Sequence, residues 1–223
     1  MPLVNVGIPT EKWDNADMSR YYSPRRMDAA ADTRTAIMQS ARELFLARGY
    51  PDVTVAQIAA AARVAVQTVY SSTGGKTAIL AALLASAMND TAVTESLEAV
   101  ATCTDPGAII DITAEGTRRA HERHWDVLYG LLHDGLGDNG ATEVHNEGIT
   151  AYLKALTTVA DRLVALDALR PELDHALAVD LLWFFLGQRA WFLLIGERGW
   201  SFDRAQEWMA DSARQALLRS SGH

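Results

Sequence analysis

The sequence predicts an all-α protein, and three observations carry that prediction. Alternating runs of β-branched residues, which are typical of strands, are nearly absent from the 223 residues. Apolar residues instead recur at helical spacing almost everywhere after residue 33. Glycine and proline interrupt this spacing at places such as Gly74-Gly75 and Arg170-Pro171, so we expect separate helices joined by short turns.

Composition excludes several classes of protein. With 49% hydrophobic and 22% charged residues, the chain resembles soluble globular proteins and not disordered ones. Its single cysteine, Cys103, cannot form an intramolecular disulfide, which favours a reducing cytoplasm over secretion. The first thirty residues lack the apolar region of a signal peptide. The longest apolar stretch, 181–195, is interrupted by two polar residues and predicts a buried helix, too short to span a membrane. We therefore expect a cytoplasmic protein without a membrane partner.

The net charge of −8 is distributed unevenly along the chain. Residues 1–85 hold nine Lys or Arg and seven Asp or Glu, which gives +2. Residues 86–223 hold eleven and twenty-one, which gives −10. The acidity of the whole chain therefore does not exclude a nucleic-acid partner for the first part.

The first part of the chain predicts an arm followed by a helix. Residues 1–31 contain three prolines and no sustained apolar stripe, which indicates an irregular arm. The arm either reaches a DNA minor groove through its basic side chains or is disordered. Its arginines are Arg20, Arg25 and Arg26. A first helix is predicted over 33–48, and Gly49 lies where a carboxyl-terminal glycine ends a helix.

Two short helices with a tight turn between them are predicted next. Thr54 and Gln57 fit a capping box, which opens a helix that runs to about Ala62. A turn over 63–65 leads into a second helix over 66–72. This spacing predicts a helix-turn-helix, although a small α-hairpin without a nucleic-acid function would give a similar pattern.

The outer face of the second short helix is predicted to enter a DNA major groove. Ile58 and Val69 face inward, which leaves the polar positions of that helix free. Glutamine pairs with adenine and threonine contacts the thymine methyl, whereas Tyr70, Thr54 and Lys76 are placed to meet phosphates. The predicted DNA-binding residues are Thr54, Arg63, Val66, Gln67, Thr68, Tyr70, Ser71 and Lys76.

Residues 34–80 resemble the DNA-binding segment of the TetR family of bacterial transcriptional repressors. The matching residues are Ile37, Ala41, Leu44-Phe45, Gly49-Tyr50, Thr54-Val55, Ile58-Ala59, Ala62, Val64, Thr68-Val69-Tyr70, Lys76 and Leu80. A weaker likeness to some actinobacterial members lies in residues 196–201. The resemblance implies an arm over 1–31, a helix-turn-helix domain over 32–80 and a helical ligand-binding and dimerisation domain over 81–223.

The same resemblance implies partners and a mechanism. The partners are a palindromic double-stranded DNA operator, a small-molecule inducer and a second copy of the chain. The copies pair through the apolar stretch 181–195 and a helix predicted over 201–219, with Gly187 allowing close approach. A two-fold dimer places its recognition helices about 34 Å apart, one turn of DNA. Ligand binding then favours a spacing of the heads that releases the operator.

Four positions depart from the family pattern. Arg63 replaces a turn glycine, which strains the backbone if the position has a positive φ. Ala65 replaces a capping serine, at a cost of roughly 0.5–2 kcal/mol. Ser72 and Thr73 replace aromatic residues at the turn into the next helix. These departures motivate the alternative hypothesis of a small-molecule-binding helical protein whose DNA-binding head is degenerate.

The second part predicts long helices that contain aromatic side chains. They are placed at about 106–119, 120–134, 141–166, 173–195 and 201–219. Aromatic residues at helical spacing are mostly core residues, but some here are candidates for lining a pocket that suits a hydrophobic, aromatic ligand. The predicted ligand-binding residues are His121, Trp125, Tyr129, Tyr152 and Arg189.

No enzyme, cofactor or metal site is predicted. Gly75-Lys76-Thr77 matches only the end of a phosphate-binding loop, whose earlier glycine is replaced by Tyr70. His121 and His124 share a helix face, but no cysteine or further ligand accompanies them. No catalytic constellation is evident in the sequence, so we expect no catalytic residues.

Overall fold

The computed structural model describes residues 24–133, 135–136 and 139–219. In these residues the chain is all-α, as predicted, and no strand is found. The helices are α1 (Pro24–Arg48), α2 (Val55–Ala61), α3 (Val66–Thr73), α4 (Lys76–Met88), α5 (Thr91–Thr102), α6 (Pro106–Arg123), α7 (Trp125–Leu132), α8 (Asn139–Ala165), α9 (His175–Leu186), α10 (Gln188–Trp191) and α11 (Phe202–Leu217). A π-helical segment (Phe192–Glu197) lies between α10 and α11.

Helices α1 to α3 form the head of the molecule, and the local signals in the sequence explain them. Thr54 is the N-cap of α2, and its hydroxyl and the Gln57 side chain form the predicted capping box. Gly49 and Gly74 end α1 and α3 with φ values of 81° and 84°, which suit glycine. The predicted helices over 54–62 and 66–72 are thus found within a residue or two.

The first helix begins earlier than predicted. Helix α1 starts at Pro24, not at residue 33, so residues 24–31 of the predicted arm are helical. Proline suits the first position of a helix, and the alanines at 29–31 favour its continuation. The predicted role of Arg20 falls on residues 1–23, which lie outside the described residues.

Helices α4 to α11 form the body around a second buried cluster. This cluster draws Ile109 and Ile110 from α6, Leu156 and Leu163 from α8, and further residues from α9 and α11. Asp90 caps α5, Asp105 caps α6 and Ser201 caps α11, each by accepting a hydrogen bond from a backbone amide. The predicted boundary between domains at 80/81 lies inside α4, which runs without a break from the head into the body.

Two predicted helix boundaries in the body are wrong. The break predicted at 119/120 lies at His124, because no proline or glycine marks it and the aromatic stripe of α7 starts only at Trp125. The helix predicted over 173–195 is interrupted at Gly187, whose ψ is 164°. A Cβ on Gly187 would collide with the Trp183 carbonyl and ring, so its missing side chain permits a contact within the chain. Gly187 is buried within the chain, and its predicted place at a dimer contact stays a prediction.

Two helical stretches, 76–102 and 175–197, are long and apolar enough to cross a membrane by length and composition alone. The second contains the apolar stretch 181–195, which was predicted to be too short. A core helix of a soluble protein meets the same test. Within 175–197, Leu182, Leu186 and Trp191 are fully buried in the body.

Candidate DNA interface and ligand cavities

The recognition helix α3 presents an outer face with exposed side chains. Val69 is fully buried beneath it, whereas Val66 and Tyr70 are 43% and 51% exposed. Gln67 and Ser71 are also exposed, and Thr68 is half-buried. Val66 and Tyr70 lie four residues apart, so they form one exposed apolar patch beside the polar side chains of this face.

The turn before α3 contains two of the positions that depart from the family pattern, Arg63 and Ala65. Arg63 has a φ of 57°, in the left-handed region that favours glycine, and its side chain is exposed. Ala65 is the N-cap of α3 and makes no side-chain hydrogen bond to the helix. Thr73, by contrast, is buried, and its hydroxyl donates to the Val69 carbonyl at 2.7 Å. The start of α3 therefore lacks a side-chain cap, whereas the Thr73 hydroxyl near its end is hydrogen-bonded.

The predicted phosphate contacts lie along one edge of the head. Thr54 is exposed, although its hydroxyl already takes part in the capping box. Lys76 Nζ donates to the Pro51 carbonyl at 3.3 Å and lies 4.1 Å from the centre of the Tyr50 ring. Lys76 must therefore leave these contacts, or share them, to reach a phosphate. The start of α4 beside it carries no side-chain cap, which leaves amide donors for an anion.

One residue that supports α3 has no signal in the sequence. Arg34, on α1, donates a hydrogen bond to the Ser72 carbonyl near the carboxyl terminus of α3. Thirty-eight residues separate the two, and no local pattern links them. The contact adds a positive charge behind the recognition helix and holds its end against α1.

A first cavity of about 100 Å³ lies in the body. Residues of α4, α5, α6, α7, α8 and α10 line it, and most of them are apolar. His121 and Tyr152, two of the predicted ligand-binding residues, lie in its wall. The structure thus brings two of the five predicted residues to one mainly apolar space.

The polar groups of the first cavity are held neutral. His121 Nδ1 lies 2.8 Å from the Thr117 carbonyl, which can only accept, so this nitrogen carries the proton. Burial lowers the pKa of His121 to about 4, against the opposing effect of that hydrogen bond, and the other ring nitrogen is left as an acceptor. The Tyr152 hydroxyl donates to the Leu186 carbonyl at 2.7 Å, and burial raises its pKa.

The other predicted ligand residues lie elsewhere. Trp125 and Tyr129 do not line the first cavity but stack on each other, with ring centres 4.8 Å apart. Tyr129 also packs edge-on against Phe192 and covers Gly196, where a Cβ would collide with its ring. Both rings therefore fill the seam between α7 and the π-helical segment. Arg189 lines a second cavity.

The second cavity, of about 110 Å³, is more polar. Arg189, His145 and Gln188 line it together with His133 and Glu197, whose nearest nitrogen and oxygen are 3.6 Å apart. His145 hydrogen-bonds the Gln188 side chain. Burial, with the nearby charge of Arg189, lowers the pKa of His145.

A buried carboxylate joins the start of α5 to the end of α6. Asp90 is 5% exposed and accepts hydrogen bonds from Arg123 Nη1, His124 Nε2 and the Ala92 amide, each at 2.8 Å. Burial alone would raise the pKa of Asp90, but these three partners hold it below its usual value. His124 Nε2 thus binds the Asp90 carboxylate. The described residues contain no group of three metal-binding side chains.

Comparison with known proteins identifies the head. Residues 37–83 match the family described as bacterial regulatory proteins, tetR family. A search of curated proteins found no match. The matched segment spans α2 and α3 and parts of α1 and α4, which is the segment whose residues carried the resemblance.

Solved structures share the fold of the whole described chain. NalD of Pseudomonas aeruginosa, the secondary repressor of the MexAB-OprM multidrug efflux pump, is 22% identical over 86% of this chain and 99% of its own, with a TM-score of 0.71. FadR of Bacillus subtilis, in complex with stearoyl-CoA, is 16% identical over 80% and 96%, with a TM-score of 0.65. PfmR, a TetR family transcriptional regulator of Thermus thermophilus, is 21% identical over 82% and 96%, with a TM-score of 0.59. Residues 37–83 therefore match a tetR-family regulatory segment, and the described chain shares the all-α fold of a solved TetR-family transcriptional regulator.

Proposed function

We propose that the protein is a cytoplasmic, homodimeric repressor that binds a palindromic DNA operator and is released by a small hydrophobic ligand. One observation carries the proposal: the buried cluster of the head, which includes Ile37 of α1 and Val69 of α3, continues into the wall of the first cavity. Ala87 of α4 and Leu128 of α7 belong to that cluster and also line the cavity. A ligand that displaces them moves side chains packed against the DNA-binding head.

The proposed DNA contacts are those predicted from the sequence, namely Thr54, Arg63, Val66, Gln67, Thr68, Tyr70, Ser71 and Lys76. Exposed Gln67 suits adenine, and the apolar face of Val66 suits a thymine methyl. With a head charge of only +2, affinity depends on these contacts and on dimer geometry more than on bulk charge.

The proposed dimer forms through α9 and α11. Leu177 and Phe184 on α9 are 43% and 71% exposed, and Trp208 on α11 is 50% exposed. A monomer would leave these three large side chains in water, whereas a two-fold partner would cover them. The operator would then be palindromic, because each head reads one half-site.

Release by a hydrophobic ligand is supported by the mainly apolar wall of the first cavity. Two proteins with this fold, NalD and FadR, are described respectively as an efflux-pump repressor and as bound to stearoyl-CoA. His121, Tyr152 and Arg189 remain the proposed ligand contacts, with Trp125 and Tyr129 as the packing between the cavities and the head. A ligand that binds one spacing of the heads better shifts the population towards it.

A second candidate function is ligand binding without specific DNA recognition. It is favoured by the uncapped start of α3 at Ala65 and the left-handed backbone of Arg63. Both features act on the helix that must enter the groove.

One experiment separates the two candidates. The full chain is titrated against the DNA that flanks its own gene, over a salt series, with a scrambled duplex of equal length as the control. The repressor proposal predicts preference for the flanking DNA and a dimer of twice 24.3 kDa by light scattering at micromolar concentration. Equal, salt-sensitive binding to both duplexes contradicts it and supports the second candidate.

A further inference from the structure

The two cavities of the body meet at a single side chain. Gln188, the first residue of α10, lines both of them. Tyr152 of the first cavity and Trp183 of the second pack edge-on, with ring centres 5.3 Å apart. The cavities are therefore neighbours separated by two aromatic rings and one amide, with the apolar chamber on one side and the polar chamber on the other.

The polar chamber contains a cation that lacks an ion pair. Arg189 is exposed, and no salt bridge or hydrogen bond of its guanidinium is found within the described part of the chain. The acidic residue of this chamber, Glu197, lies beside His133 at 3.6 Å. His145, held by Gln188, stays neutral and does not add a competing charge. An incoming anion would thus meet one uncommitted guanidinium, whose planar fork matches a carboxylate or a phosphate.

We propose that the two cavities form one ligand site for an amphipathic anion. Its apolar body occupies the first cavity, and its carboxylate or comparable anionic headgroup binds Arg189 beside the Gln188–His145 pair. This inference rests on the proposed ligand-responsive function and narrows the class of ligand from hydrophobic molecules in general to those with one anionic end. A neutral ligand would gain nothing from the charge of Arg189, and a wholly polar one would leave the apolar chamber empty.

Matched probes test the two ends of the site. Decanoate, its methyl ester and 1-decanol share an apolar chain and differ at the head. Their binding to the full chain, without DNA, is measured by calorimetry below the critical micelle concentration of decanoate. We expect decanoate to bind at least about tenfold more tightly than the other two, which corresponds to one charge-assisted contact.

Two variants assign this preference to the residues. Arg189→Gln removes the charge of the second cavity, so decanoate should lose its tenfold advantage while decanol binding stays unchanged. Ala155→Phe fills the first cavity and should weaken all three probes. Arg198→Gln is the control, because Arg198 is exposed, lies nine residues away and lines neither cavity. Melting curves of each variant show whether it is folded.

The outcomes are distinct. The inference is overturned if no probe binds, if decanol and decanoate bind equally, or if Arg198→Gln loses the preference as fully as Arg189→Gln. DNA release is then measured separately with decanoate. If decanoate binds with the expected preference but leaves DNA affinity unchanged, the ligand class stands and the proposed release mechanism fails.

Discussion

His124 Nε2 lies 2.8 Å from Asp90 Oδ2, and this contact ties the junction of α6 and α7 to the start of α5. Arg123 donates to both oxygens of the same carboxylate at 2.8 Å. One acidic side chain therefore holds two helix junctions that flank the first cavity. Because this side chain is only 2% exposed, its partners are not easily replaced by water.

Asp90→Asn should lower the free energy of unfolding by about 2–3 kcal/mol at neutral pH, because charge-assisted hydrogen bonds are lost from a buried site. Asparagine still caps α5, so the effect isolates the contacts with Arg123 and His124. A carboxylate whose pKa is lower in the folded state than in the unfolded chain stabilises the fold at pH values above its unfolded pKa. That stabilisation is lost as the pH falls through the folded pKa. The difference should therefore shrink below about pH 3.8 in urea titrations.

Glu95→Gln is the control for Asp90, since Glu95 pairs with Arg119 at 2.9 Å on the surface. That substitution should cost less than about 1 kcal/mol. Equal effects of the two substitutions would show that the Asp90 cluster stabilises the fold no more than a surface ion pair does.

His121→Leu should make the protein less sensitive to mild acid. Burial lowers the pKa of His121 to about 4, so the unfolded chain takes up a proton at a higher pH than the folded chain does. The folded state therefore loses stability as pH falls from about 6.5 towards 4, by an amount on the order of 3 kcal/mol. Urea titrations at pH 7 and at pH 4.5 measure this loss. A wild-type loss no larger than that of the variant would contradict the buried, neutral histidine.

Ala65→Ser should stabilise the recognition helix. A serine hydroxyl at the N-cap can accept from an amide of the first turn, which the alanine leaves without a side-chain partner. The expected gain is about 0.5–1 kcal/mol, measured as an increase in Tm. Thr54→Ala removes the existing cap of α2 and should have the opposite sign and a similar size. If operator affinity rises with Ala65→Ser, the missing cap limits DNA binding.

Arg63→Gly should relieve the backbone strain of a non-glycine residue in the left-handed conformation, at a φ of 57°. Arg63→Ala removes the same side chain but keeps a Cβ in that conformation, so it is the matched comparison. The glycine variant should be the more stable of the two by about 1 kcal/mol. If both variants also lose DNA affinity equally, the arginine itself contacts DNA. Equal stability of the pair would contradict the strain.

Phe184→Glu should convert the proposed dimer into a monomer, because it places a charge on the most exposed apolar side chain of α9. Sedimentation measures the change, and circular dichroism shows whether the fold persists. Met27→Glu is the control, since Met27 is 62% exposed on α1 of the head. A dimer that survives Phe184→Glu would place the interface elsewhere.

The sequence predicted the head well because its signals are local. Thr54, Gln57 and Gly74 specify caps within a few residues, and each is found where expected. The break at Gly187 and the bond from Arg34 to Ser72 depend on contacts between distant segments, and periodicity does not encode them.

The cavities were predicted only in part for the same reason. A helical stripe shows which residues turn inward but not whether they meet a space or another ring. His121 and Tyr152 border a space, whereas Trp125 and Tyr129 stack on each other. Predicting the polar chamber would require the position of α10, which depends on the turn at Gly187.

The π-helical segment after α10, which borders the second cavity, contains one more residue per hydrogen-bonded turn than an α-helix does. The Arg198 amide donates to the Leu193 carbonyl five residues earlier. In an α-helix, residues five apart point about 140° away from each other, whereas the wider π turn brings them back to nearly the same side. Phe192 and Glu197 both border this cavity. If the same residues formed a regular α-helix, Glu197 would point about 140° away from Phe192 and leave the chamber more cationic, so the π turn sets the polarity that an entering ligand meets.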